Sequence, residues 1–251
     1  MDPTNPGQFY ACCGLFELYE MYESGGLTWF ERDRRMPRRA EFVLSAPAAG
    51  GVSRVLMDLR SCEFRPIQYE NPKIAPVRFG WAAREMILDW WLTDDYTRDN
   101  PLKLWAGNQS SAMLMQRLVA AIPSDCSVSM LFELAQYTTT RLGVDPRSTW
   151  SKLDCGYSPN ERDVKKAHTA PVVDLLAAVG LEGFRPGRER KDGMSEYVYA
   201  LWGDRLPRAV ARAAAVGLWP GITQAVYRFR LVDRGSYMGF DFAKERQDES
   251  R

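Results

Sequence analysis

Apolar residues between positions 9 and 22 recur at helical spacing on more than one side. Phe9, Cys12, Cys13, Phe16 and Tyr19 mark one side, and Leu15, Leu18 and Tyr22 mark another. Such wide apolar coverage predicts a helix over residues 8–23 that is buried between layers. Asn5 is placed to cap it, and Pro6 takes the first helical position, where its missing N–H costs nothing. Gln8, at the third position, completes a capping box. The Pro-Gly pair here is therefore a helix start. A nucleotide-binding loop would need further glycines and a Lys-Ser or Lys-Thr pair, which the segment TNPGQFYACC lacks.

Beyond Gly25 and Gly26 the period shortens. Residues 29–32 and 41–45 read as a hairpin around the loop DRRMPRR, and a short helix is expected over 52–61. The stretch 77–92 fits helix or strand, with a strand favoured at its end, and 102–105 reads as another short strand. Helices are expected at 109–121, where Pro123 stops the first, and at 128–142, 172–179 and 208–215. The closing segment VYRFRLVDRGSYMGFDF alternates apolar and polar residues on both sides of Asp233-Arg234-Gly235-Ser236, the signature of a hairpin with a glycine turn. Tyr227, Phe229 and Leu231 should face one way and Arg228 and Arg230 the other, with this hairpin pairing to the early strands. The resulting expectation is an α+β fold, with a mixed sheet from N-terminal strands and a C-terminal hairpin around a mostly helical middle. One unit spans 1–251, with sub-regions 1–107, 108–220 and 221–251.

Composition narrows the possibilities. The chain has 251 residues, 45% of them hydrophobic, enough for a sizeable core. Its 33 basic and 32 acidic side chains nearly cancel, so attraction to polyanions must be local. No run approaches the roughly 18 to 20 apolar residues of a membrane span, and no basic segment precedes an apolar signal core. The expectation is a soluble, cytoplasmic protein without membrane contact. The five cysteines lack metal-ligand spacing and are expected to be reduced and mostly buried. His168 is the one histidine, which argues against a zinc site or a histidine-based nuclease. No metal or other cofactor is expected.

Catalytic motifs are missing: there is no nucleophile elbow, Walker loop or dinucleotide fingerprint. Asp89, Asp94, Asp95 and Asp99 form an acidic run that reads as a Mg²⁺ site or, more simply, a solvated loop. Asp154 and His168 have no nucleophile to serve. The expectation is a protein that is not an enzyme.

Cationic segments are the stronger lead. Arg34, Arg35, Arg38 and Arg39 crowd the DRRMPRR loop, either to follow a phosphate backbone or as a solvated or protein-contacting loop. Arg188, Arg190 and Lys191, beside Arg185, lie in FRPGRERKDG, whose composition predicts mobility. Lys165 and Lys166 form a weaker pair, and Arg228 and Arg230 read as a phosphate rail or as charges protecting an edge strand. Asn108 and Gln109 sit where a helix is expected to begin, suited to a phosphate, a base edge or plain capping. Trp81, Trp90, Trp91 and Trp105 are expected in a core or interface, with stacking on an unpaired base as the alternative.

Taken together and in order, TNPGQFYACCGLFELYE, LDWWLTDD, LKLWAGNQSS, LDCGYSPNE and APVVDLLAAVGLEGFRP resemble the short large-subunit protein of type I-G CRISPR-Cas systems, formerly type I-U. The resemblance implies a subunit of Cascade, the RNA-guided surveillance ribonucleoprotein complex of antiviral defence. Its implied partners are the other Cascade subunits, guide RNA, target double-stranded DNA and the helicase-nuclease effector. Its implied roles are recognition of the motif flanking the target and effector recruitment. Guide pairing would carry sequence choice, leaving the protein to supply phosphate clamps and a few base-reading side chains. The alternative is a scaffold of the same system without direct nucleic-acid contact.

Overall fold

A computed structural model describes residues 1–33, 35–47, 50–81, 84–106, 109–124, 126–133, 136–149, 167–191, 193–235 and 237–247. Helix α1, Pro6–Tyr22, starts as its capping chemistry dictates: Asn5 accepts from the Gln8 N–H, and proline sits at the first position. Gln8 reaches back three residues further than in a simple capping box, accepting from the Asp2 N–H, because the Asn5 N–H is already taken by the Asp2 carbonyl. Almost every residue of α1 is buried. A second helix covers one side of it, and an aromatic sheet covers the other.

That second helix, Pro171–Gly183, is α4 in chain order after α2 (Gly51–Asp58) and α3 (Ser111–Ala120), and precedes α5 (Arg208–Ala214). The two buried helices touch backbone to backbone. A Cβ on Gly14 would overlap the Leu176 carbonyl oxygen, and one on Gly180 would overlap that of Tyr10, so only glycine permits this approach. On the opposite side, Phe9 stacks on Tyr199 with centroids 4.4 Å apart, and Phe30 meets Trp202 edge-on at 4.8 Å. Buried polar tips find backbone partners: Tyr199 donates to the Pro3 carbonyl and Trp202 Nε1 to that of Thr28.

Tyr199 and Trp202 belong to β9 (Met194–Trp202), at the centre of an antiparallel sheet that also holds β8 (Gly187–Lys191), β10 (Thr223–Phe229) and β13 (Lys244–Glu245), in the order β13-β10-β9-β8. Smaller sheets surround the core. β1 (Leu27–Arg32) pairs with β2 (Ala40–Ser45), and β3 (Glu63–Pro66), β4 (Val77–Trp81) and β5 (Arg84–Leu88) form a meander. β6 (Gln136–Thr138) pairs with β7 (Ala167–Thr169), and β11 (Leu231–Asp233) with β12 (Met238–Phe240).

The fold is α+β, as expected, with the C-terminal hairpin in place as β11–β12. Several local expectations change. The C-terminal strands do not join the early ones: β10 pairs with β9 and β13, while β1–β2 meets the rest through a bridge from Thr28 to Leu206. FRPGRERKDG is not a mobile loop. It contains edge strand β8, held in register by β9, a partner far stronger than local composition suggests. Residues 77–92 fold as the β4–β5 pair, and the tryptophans that follow leave the strand. The stretch 102–105 is not a strand either, because Trp105 turns inward and donates to the Lys73 carbonyl. The middle is less helical than expected: a 3-10 turn, Val128–Met130, precedes β6, whose Tyr137-Thr138 pair favours extended backbone. Among the described residues, no helix is long and apolar enough to cross a membrane.

Candidate functional site: cationic surfaces

The β1–β2 hairpin presents its arginine-rich tip on a firm base. Arg32 forms a two-pronged ion pair with Glu245 of β13, at 2.9 and 3.0 Å, and lies over the Tyr227 ring, bolting the hairpin to the central sheet. Beyond that anchor, Asp33 Oδ1 accepts from the Arg35 N–H, and two successive turns carry the chain through Met36 to Arg39. Arg35, Arg38 and Arg39 are exposed. Arg39 lies 3.8 Å from Glu41, a loose surface contact.

The other predicted cations are placed differently. Arg228 pairs with Glu189 across the sheet at 3.0 Å, and Arg230 holds Glu196 at 2.5 Å. Arg185 binds Asp89 at 2.7 Å and Glu182 at 3.1 Å. These arginines serve carboxylates of their own fold, and Glu189, between Arg188 and Arg190 on β8, supplies one of them. Gln109 precedes α3 without capping it; the cap is Ser110, which accepts from the Met113 N–H at 3.3 Å. Arg34, Asn108, Lys165, Lys166 and the side chain of Lys191 lie outside the described residues, as does Asp154 of the Asp–His pair. Trp81, Trp90, Trp91 and Trp105 are all buried, the last three meeting edge-on, so they form core rather than a stacking platform.

Arg188 leads to a surface that no sequence motif marks. It lines an open cleft of about 770 Å³ together with Arg98 and Lys103 from the loop after β5, and with Asp233, Gly235 and Tyr237 from the β11–β12 turn. The loop wall is rigidly built. Asn100 donates to the carbonyls of Trp90 and Leu92 and accepts from the Leu102 N–H, holding three backbone groups with one amide. Trp91 Nε1 donates to the Ile74 carbonyl at 2.8 Å. Within the loop, Tyr96 sits in the left-handed region at φ 57°, a rare conformation for a non-glycine residue. Its hydroxyl donates to Asp89 and its carbonyl accepts from Tyr69. Asp95 accepts from Thr93 and Thr97, which hold its carboxyl down at about 2.

The cleft cations have few internal partners. Arg188 donates to Ser195 Oγ at 2.9 and 3.2 Å, and Lys103 lies over the Trp105 ring at 5.7 Å. Among the described residues, no carboxylate lies within ion-pairing distance of Arg98, Lys103 or Arg188. The acidic run contributes Asp99 to the wall and commits Asp89 to Arg185. Among the described residues, no three His, Cys, Asp or Glu side chains converge as a metal ion would require. In the sequence Arg98 and Lys103 merely flank Asp99-Asn100-Pro101-Leu102, and nothing local links that loop to Arg188. Comparison with protein-family models, curated proteins and solved structures found no match to the chain.

Proposed function

We propose that this chain is a non-catalytic, cytoplasmic subunit of a type I-G CRISPR surveillance complex, contacting target DNA or guide RNA through cationic surface and its neighbours through apolar surface. The observation that carries nucleic-acid contact is the tip of the β1–β2 hairpin, where Arg35, Arg38 and Arg39 are exposed on a base anchored by Arg32 and Glu245. A cationic finger on a rigid root suits phosphate contact, which supplies most of the affinity for nucleic acid without reading its sequence. In the assembled complex, the substitution Arg35→Glu with Arg38→Glu and Arg39→Glu is expected to weaken capture of target duplex severalfold. It should also reduce the steepness with which affinity falls as salt rises. Unchanged capture and an unchanged salt slope would remove the tip from the nucleic-acid path.

A second reading, a protein scaffold without nucleic-acid contact, has its own support. Leu218 and Trp219 are 83% and 51% exposed in the loop between Gly217 and Gly221, an apolar projection of the kind that anchors protein interfaces. Crosslinking within the complex separates the two readings: nucleic-acid crosslinks at the hairpin tip support the first, and crosslinks confined to partner proteins support the second.

A further inference from the structure

The arginine-rich surface of this chain divides into cations that the fold uses and cations that it does not. Arg32, Arg147, Arg185, Arg208, Arg212, Arg228 and Arg230 each hold a carboxylate of the same chain. Arg98, Lys103 and Arg188 hold none among the described residues, although Asp99 and Asp233 line the same cleft. Asp233 is instead occupied locally, accepting from the Gly235 N–H at 2.7 Å. Three cations without carboxylate partners among the described residues thus line one cleft from two separate parts of the chain, and the two carboxylates of the same lining, Asp99 and Asp233, offset their charge only in part.

The walls are prepared for an anionic ligand. Arg98 follows directly on the strained Tyr96 loop, and Lys103 follows on the Asn100 clamp. Their backbones are therefore set before any ligand arrives, which limits the ordering cost of binding. Arg188 is carried on β8, whose register is set by β9. A volume of about 770 Å³ falls within the range of about 300–1,000 Å³ typical of small-ligand clefts, enough for one or two nucleotides and too small to admit a duplex. The lining also mixes signs. Cations suit phosphates, while the carboxylates of Asp99 and Asp233 can accept from the N–H groups of unpaired bases, thymine N3–H included, as an acidic peptide would not require.

Resting on the reading of the chain as a nucleic-acid-contacting subunit, we propose that this cleft grips a single-stranded segment of nucleic acid, with Arg98, Lys103 and Arg188 on its phosphates. The hairpin tip and the cleft then divide the work, the tip meeting duplex and the cleft receiving an unpaired strand.

The test uses the full chain with a fluorescein-labelled oligothymidylate and a blunt duplex of the same length. The variant Arg98→Gln with Lys103→Gln and Arg188→Gln is expected to bind the oligothymidylate at least about tenfold more weakly, with a salt slope shallower by about 0.7 for each phosphate that is no longer neutralised. Duplex affinity and Tm should remain at the wild-type value. In the wild-type chain, hydrogen exchange at 93–105 and 233–238 should slow when oligothymidylate is added, a readout independent of the variant's folding. Wild-type oligothymidylate affinity in the variant overturns the proposal, as does equal weakening toward both probes or an absence of protection. Polyglutamate displacing the oligothymidylate at equal charge would assign the cleft to an acidic protein segment and overturn it too. If the wild-type chain binds duplex through the hairpin tip while the cleft variant behaves as wild type, only the cleft assignment falls. If the wild-type chain, alone and in its complex, binds neither probe, the nucleic-acid reading falls with it.

Discussion

Arg212 and Arg188 lie on the same molecule and answer to different demands. Arg212, from α5, donates to both oxygens of Glu17 at 2.6 and 2.7 Å, with Arg208 adding a longer contact at 3.4 Å. Glu17 is buried on α1, directly against Gly183, where a Cβ would collide with its carboxylate. Left without a partner, such a carboxylate costs several kcal/mol, so folding itself demands the arginine. Arg188 sits on an edge strand, held among the described residues by the Ser195 hydroxyl, and folding demands little of it. Cations near the core are structural because a buried acid requires them. Cations in the cleft are available to something outside the fold.

The largest effect should come from the inner region, where tolerance is least. Gly14→Ala or Gly180→Ala places a methyl group on the opposing helix backbone, and neither helix can yield without disturbing the aromatic layer behind it. A loss of about 3 kcal/mol or more is expected in denaturant unfolding. A loss below about 1 kcal/mol would show that the helix crossing can slide, and that the core is nearly as tolerant as the cleft.

Next in size is Glu17→Ala, which removes the shared acceptor of Arg208 and Arg212. Both guanidinium groups are partly exposed and can return to water, so the expected loss is about 2 kcal/mol rather than the full penalty of an isolated buried charge. Calorimetry would check it, and an effect as small as that of a surface pair would place Arg212 in the same class as Arg188.

The third concerns a buried acid without an ion pair of its own among the described residues. Asp174, in the first turn of α4, accepts from the Leu142 N–H through Oδ2, while Oδ1 lacks a hydrogen-bond partner among the described residues. Burial chiefly, with the nearby Asp145 carboxylate adding to it, pushes its carboxyl from the ordinary 3.8 to about 7; the Leu142 N–H, Arg141 and Arg147 pull the other way. In the unfolded chain the group ionises near its ordinary value, whereas in the folded chain it stays protonated until about pH 7. Its contribution to stability is therefore full at low pH and lost progressively as pH rises from about 4 to 7. Asp174→Asn removes that dependence. Its Tm relative to wild type should climb from about pH 5 to about pH 8, by an amount on the order of 1 to 3 kcal/mol in stability. A difference that stays flat with pH would mean that Asp174 is an ordinary ionised carboxylate, paired much as Glu17 is.

Elements whose cause lies within a few residues could be recognised from the chain alone. The Asn5–Pro6–Gln8 start of α1, the β1–β2 hairpin, the helix at 171–183 and the glycine turn after Asp233 all depend on local caps, periodicity and turn chemistry. The exposed arginines of the DRRMPRR loop were legible for the same reason. Strand β8 was not, because its charged residues resemble a loop until β9 is laid beside them. The use of each arginine was equally hidden. Arg228 faces Glu189 and Arg230 faces Glu196 only after strands distant in sequence have paired, whereas Arg98 and Arg188 come together because a clamped loop and an edge strand border the same cleft. Backbone conformation responds to neighbours along the chain, so sequence could announce it. Whether a charge is neutralised depends on what lies across a few ångströms of space, and that was decided by the pairing of strands and the packing of loops distant in sequence.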